Sequence, residues 1–173
     1  MEHDKTMNHH FTYRLGTIND LQQLKDLGLL AYGLIQDRLT PENWQTMETG
    51  LKNEERVAQL ISISVSYVCL DGDKIVGMAY LMPHGNPTEI YPADWAYIRM
   101  VGVHPDYRGR GICKQLMQMV LNQARLSEEK TLGLHTSEVM EDAMHIYEDM
   151  GFRKVKDLGP KFGVQYYLYQ LDL

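Results

Sequence analysis

One stretch of the sequence narrows the fold more than any other: Val101-Gly102-Val103-His104-Pro105-Asp106-Tyr107-Arg108-Gly109-Arg110-Gly111-Ile112-Cys113-Lys114. A β-rich run gives way to a His-Pro turn, and from Gly111 onward Ile112, Leu116, Met119 and Val120 fall at helical spacing. A strand end, a sharp turn and a helix start therefore follow one another. Glycines at 109 and 111 let the backbone approach a ligand closely. The first amides of a helix have no partner within it, and with the positive end of the helix dipole they form an anion site. Two familiar phosphate loops do not fit. No Lys-Ser/Thr pair follows as Walker A requires, and the last glycine of a Rossmann fingerprint is absent.

The flanking segments read as a strand near Phe11, Tyr13 and Leu15, then a helix carrying Leu21, Leu24, Leu27, Leu29 and Leu30 with Asn19 or Asp20 as its cap. Thr40-Pro41-Glu42 starts a second helix through Trp44 and Met47. Beyond Gly50 and Asn53, the run 57–61 is either the end of one bent helix or a second short one. Runs 64–70 and 75–81 flank Asp71-Gly72-Asp73-Lys74, a hairpin signal. Pro83, Pro87 and Pro92 punctuate a loop before a strand over 95–103. A strand over 131–136 precedes a helix with Val139, Ala143, Ile146, Tyr147 and Met150 on its buried stripe, ended by Gly151. Strands over 152–158 and 165–171, joined by a loop at 159–163, close the chain. This order predicts an α+β three-layer fold in one domain, residues 11–173, behind a flexible tail at residues 1–10.

A formal charge of -6 without a Lys/Arg stripe argues against nucleic acid as a partner and suits a small cationic acceptor. Cys69 and Cys113 form no CxxC pattern, so a reducing compartment is expected and no metal is implied. His3, His9 and His10 are given no role. The opening residues lack a secretory apolar core and no run of about 18 apolar residues occurs, which predicts a cytoplasmic protein with no membrane partner.

Val103-His104-Pro105-Asp106-Tyr107-Arg108-Gly109 matches Val-x-Pro-x-x-Arg-Gly, and Arg108 to Cys113 follows Arg-x-x-Gly-x-Gly/Ala except for Cys113 in the last place. Tyr147-Glu148-Asp149-Met150-Gly151-Phe152 looks like a second signature, Tyr-Glu-x-x-Gly-Phe, and Asp73-Lys74-Ile75-Val76-Gly77 like a central hairpin. With these motifs the chain closely resembles the GCN5-related N-acetyltransferase (GNAT) family. That resemblance implies a three-layer α/β/α sandwich around a mixed, largely antiparallel sheet of about seven strands. It implies acetyl-CoA as co-substrate, no metal, and direct attack of a primary amine, on a small molecule or a polypeptide, in a ternary complex. A homodimer is one assembly it allows. By the same resemblance Val101 and Val103 offer backbone groups to the pantetheine arm, while the amides of Gly109, Arg110, Gly111, Ile112, Cys113 and Lys114 hold the pyrophosphate. Arg108 or Arg110 adds charge.

Acyl transfer to an amine needs a neutral nucleophile, charge stabilisation and protonation of a leaving thiolate. Tyr147 matches the family tyrosine that protonates the sulfur. His135 is the first choice of base, since its strand flanks the thioester and its ordinary pKa lies near working pH, with Glu138 and Glu141 next. Where many relatives carry an asparagine seven residues before the tyrosine, this chain has Met140. Cys113 reads as a packing residue. The first two helices and the loop at 83–94 are expected to form the acceptor side, with Tyr32, Trp44, Tyr91, Trp95 and Arg99 as candidate lining residues. Two other readings remain: an acyl-CoA-binding sensor or interaction module without turnover, and the same enzyme class using a longer acyl chain.

Overall fold

The computed structural model describes residues 10–173. Its strands are β1 (Thr12–Leu15), β2 (Val65–Asp71), β3 (Lys74–Met82), β4 (Ala96–Val103), β5 (Thr131–Ser137), β6 (Arg153–Lys161) and β7 (Val164–Asp172). They form one seven-stranded sheet in the order β1-β2-β3-β4-β5-β7-β6. Every neighbouring pair is antiparallel except β4 and β5. The helices are α1 (Leu21–Gly33), α2 (Pro41–Leu51), α3 (Glu54–Ile63), α4 (Ile112–Leu126) and α5 (Glu141–Asp149). Most of the expected tail, including His3 and His9, lies outside the described residues, and His10 is exposed.

Strand alternation sorts the core into two layers, because successive side chains point to opposite faces. Along β3, Met78 and Tyr80 pack with Leu24 and Leu27 of α1 and Val57 and Ile61 of α3. Ala79 and Leu81 face the other way, toward Ile112, Leu116 and Val120 of α4 and Tyr147 of α5. The result is the three-layer α+β fold that the element order predicts, and the α/β/α sandwich around a mixed sheet that the family resemblance implies.

Local chemistry settles what the sequence left open or placed elsewhere. The run 57–61 belongs to a second helix, because the Asn53 side chain accepts from the Arg56 amide (3.2 Å) and caps a new start. Asp20 precedes α1 but does not cap it. Its carboxylate accepts from the Thr17 amide (2.8 Å) and from both terminal nitrogens of Arg14 (2.8 and 2.9 Å), which tie β1 to the turn before α1. The expected loop at 159–163 shrinks to a two-residue turn, with Gly159 and Pro160 inside β6. Proline is tolerated there because β6 is an edge strand, where one side of the ladder needs no donor.

The feature that shapes the site is a bulge in β4. Met78 pairs with Gly102, but Tyr80 pairs with Arg99, and Met100 takes a positive φ of 50°. An extra residue bends a strand and increases its twist. On its other edge β4 pairs with β5 through just Ala96–Leu132 and Tyr97–Gly133, and the strands then part. Helix α4 lies close over this region, because a Cβ on Gly77 would fall 2.7 Å from Ile112 Cγ2 and 3.0 Å from Leu116 Cδ1. Ile112 is the first residue of α4, and its β-branched side chain has little freedom to move aside. Gly77→Ala should therefore destabilise the fold by roughly 1–3 kcal/mol through overpacking. Urea unfolding checks this, and an unchanged midpoint would contradict the close packing of α4 on β3.

Candidate functional site

The loop leaving β4 is held by its own backbone. The His104 amide donates to Val76 O (2.8 Å) and the Tyr107 amide to His104 O (2.9 Å), closing a short turn over Pro105–Tyr107. Tyr107 is anchored in turn. Its hydroxyl donates to Asp71 Oδ2 (2.5 Å), and Lys74 and Arg110 lie over its ring at 5.4 and 5.2 Å. The chain then turns through Gly109 and Gly111, with φ of 75° and 79°, a conformation costly for residues bearing a Cβ. Among the described residues, the amides of Gly109, Arg110, Gly111, Ile112, Cys113 and Lys114 make no hydrogen bond to protein. The first amide to do so is that of Gln115, which donates to Gly111 O (3.0 Å).

Gly109, Gly111, Ile112, Cys113 and Lys114 border a groove of about 620 Å³ that also takes in Val101 and Val103 of β4, Ala31 and Tyr32 of α1, and Val139, Met140 and Tyr147. Arg38, Arg108 and Lys114 supply positive charge along it. Arg110 does not line it and stacks on Tyr107 instead. Arg38 escaped the sequence reading, because nothing in its own neighbourhood separates it from a solvated surface arginine. Burial pushes the Cys113 thiol up to about 11, so it stays protonated, as suits a packing residue and not a nucleophile.

Tyr147 is placed by the way α5 ends. The Gly151 amide donates to Glu148 O (3.0 Å) and the Phe152 amide to Tyr147 O (3.0 Å), with Gly151 at φ 99°. These two bonds make a Schellman terminus, and the accompanying apolar contact is the edge-on packing of Phe152 against Tyr147, centroids 6.2 Å apart. The Tyr-Glu-x-x-Gly-Phe spacing thus fixes the ring at the groove. Burial holds the Tyr147 hydroxyl well above its ordinary pKa, and therefore protonated.

A second cavity, about 650 Å³, meets the first at Tyr32 and Met140, which line both. His135 of β5 faces it, with Nδ1 2.6 Å from the hydroxyl of Tyr91, itself stacked on Tyr97 at 4.1 Å. Burial first, then the charges of Arg99 and Lys161, lower the His135 pKa to about 4 and keep the ring neutral. Glu138 is exposed and lines neither cavity, whereas Glu141 lines the first groove. Of the residues expected on the acceptor side, Tyr32 and Arg99 line the second cavity, and Tyr91 backs it through His135. Trp44 instead packs with Ile35 and Met47, and Trp95 lies against Gly133. Among the described residues, the charged side chains of this lining are Arg56, Arg99 and Lys161, and no carboxylate joins them.

The sequence model of the Acetyltransferase (GNAT) family matches residues 33–152. An uncharacterized N-acetyltransferase, YdgE of Bacillus subtilis, is 23% identical over 130 residues, 72% of this chain and 82% of its own length. Acetyltransferase Atu2258 of Agrobacterium fabrum is 33% identical over 66 residues, 38% of this chain and 47% of that protein. Among solved structures, the PaiA N-acetyltransferase of Thermoplasma acidophilum in complex with coenzyme A superposes with a TM-score of 0.77 at 12% identity, covering 95% of this chain and 99% of its own.

The depressed pKa of His135 makes stability depend on pH. An unfolded chain takes up this proton near 6.5, but the folded chain does so only near 4, so the unfolded state binds more protons between them. Stability is therefore lost as pH falls from about 6.5 toward about 4. His135→Gln should shrink that loss, measured by urea unfolding at about pH 7 and about pH 5. An unchanged pH dependence would contradict a buried neutral histidine.

Proposed function

Since the chain belongs to the Acetyltransferase (GNAT) family, we propose that it transfers an acetyl group from acetyl-CoA to a primary amine by direct attack in a ternary complex. The observation that carries this reading is the row of partnerless amides from Gly109 to Lys114, opening on a groove that leads to a protonated Tyr147. Backbone N–H groups at a helix start fit a diphosphate in both charge and geometry. The solved PaiA structure, in complex with coenzyme A, supports the same ligand here.

When bound, acetyl-CoA supplies the thioester carbonyl that an amine can attack. Among the described residues, the β4 edge beyond Tyr97 has no strand partner on the β5 side, which leaves Val101 and Val103 free to pair with the amide-bearing pantetheine arm. The Tyr147 hydroxyl gives its proton to the departing sulfur. On the acceptor side, the neutral His135 ring takes the amine proton and passes it to solvent, its low basicity preventing it from keeping the charge. The cations of the second cavity assist, because like charges nearby disfavour an ammonium and favour the neutral nucleophile. Glu138, exposed and outside both linings, takes no part in this reading.

The weak basicity of His135 also favours a second reading, an acyl-CoA-binding module without turnover. Release of free thiol from acetyl-CoA across a panel of amines separates the two. Turnover establishes the enzyme, and binding without turnover on any amine establishes the module. Tyr147→Phe should lower kcat by about 10²-fold or more while leaving acetyl-CoA affinity nearly unchanged. Equal turnover by the variant would remove Tyr147 from the mechanism.

A further inference from the structure

We propose that the acceptor is an anionic amine, a small molecule whose carboxylate docks on Arg99 while its amino group reaches the junction of the two cavities at Tyr32 and Met140. The inference rests on the transfer reading above and names the substrate class of the same site. Arg99 belongs to β4, a central strand of the sheet, and is only partly exposed. Among the described residues its side chain has no hydrogen bond and no ion pair, though a guanidinium carries five donors. A guanidinium on a cavity wall with donors not engaged by protein can offer them to an anion that enters. A carboxylate accepts them through two parallel N–H···O bonds in the planar geometry of the guanidinium.

The surroundings agree. Arg56 of α3 and Lys161 of β6 line the same cavity, and among the described residues no Asp or Glu does. A cationic acceptor, which the overall charge of -6 would suit, meets like charge here, because local charge outweighs a net charge spread over the surface. The walls include Tyr97, Tyr166 and Phe162, giving apolar surface around one charged anchor, as small-molecule sites usually have. The tip of the β6–β7 hairpin also closes toward α2. Phe162 packs in the cluster of Trp44 and Met47, and Gly163 sits so near Asn43 that a Cβ would lie 2.6 Å from its Nδ2. This arrangement favours a small molecule over a polypeptide passing through.

The test is a matched panel assayed by thiol release: alanine against alaninamide, 4-aminobutyrate against 4-aminobutyramide, together with spermidine and short C-terminally amidated peptides with free N-termini. The acid member of each pair should show kcat/KM at least about tenfold above its amide partner. Arg99→Gln should remove that preference by raising KM for the acid, with coenzyme A affinity unchanged, and Arg99→Lys should keep part of it. Preference for spermidine, for peptides or for the amides would overturn the inference, as would an Arg99→Gln variant that still prefers the acids. If nothing is turned over although acetyl-CoA binds, the transfer reading fails and the pocket is judged separately. Calorimetric titration of the same amines into protein saturated with coenzyme A then decides. Binding of the acids that weakens about tenfold or more in Arg99→Gln upholds the anion site, and absence of such binding ends it.

Discussion

The parting of β4 from β5 governs everything else in the site. A strand in the middle of a sheet normally has both edges satisfied, yet here the parallel pairing stops after Ala96–Leu132 and Tyr97–Gly133. The bulge at Met100 explains the divergence, since it bends β4 while β5 stays paired along its length with β7. Unpaired backbone at the centre of a fold is tolerable where it borders a space that a polar ligand can enter. Close packing of Ile112 and Leu116 over Gly77 then sets the start of α4 at the mouth of that space.

Two cavities approach the split, and their chemistry differs. The first joins partnerless amides and Arg108 to Tyr147, whose ring is held by the hydrogen bonds ending α5. The second surrounds neutral His135 and partnerless Arg99 with cations and aromatic rings. They meet at Tyr32 and Met140. Such a division suits a reaction between two molecules that enter separately and touch at one point. In the transfer proposed above, effective concentration together with Tyr147 as proton donor would supply much of the acceleration.

What the sequence revealed were features with short-range causes. The Asp71-Gly72 turn, the Thr40-Pro41 helix start, the glycines at 109 and 111 and the Gly151 terminus are all set by backbone preferences of a few neighbouring residues. Features that depend on distant contacts stayed hidden. Asp20 looks like a helix cap until Arg14 from β1 is seen beside it, and Pro160 looks like a loop residue until β6 proves to be an edge. Trp44 and Trp95 suited a binding wall by type but serve the core. Glu138 follows His135 by three residues, yet it is exposed and lines neither cavity. The charge of the second cavity was equally out of reach, because Arg56, Arg99 and Lys161 come from three separate elements while the net charge has the opposite sign.

The central claim is that the bare amides opening α4 hold a diphosphate. Nuclear magnetic resonance of the uniformly ¹⁵N-labelled protein tests it, comparing coenzyme A with pantetheine, which lacks the diphosphate. The account predicts that the amide signals of Gly109, Gly111, Ile112, Cys113 and Lys114 move downfield and become protected from solvent exchange with coenzyme A, but not with pantetheine. Saturation by coenzyme A with those signals unmoved would contradict it.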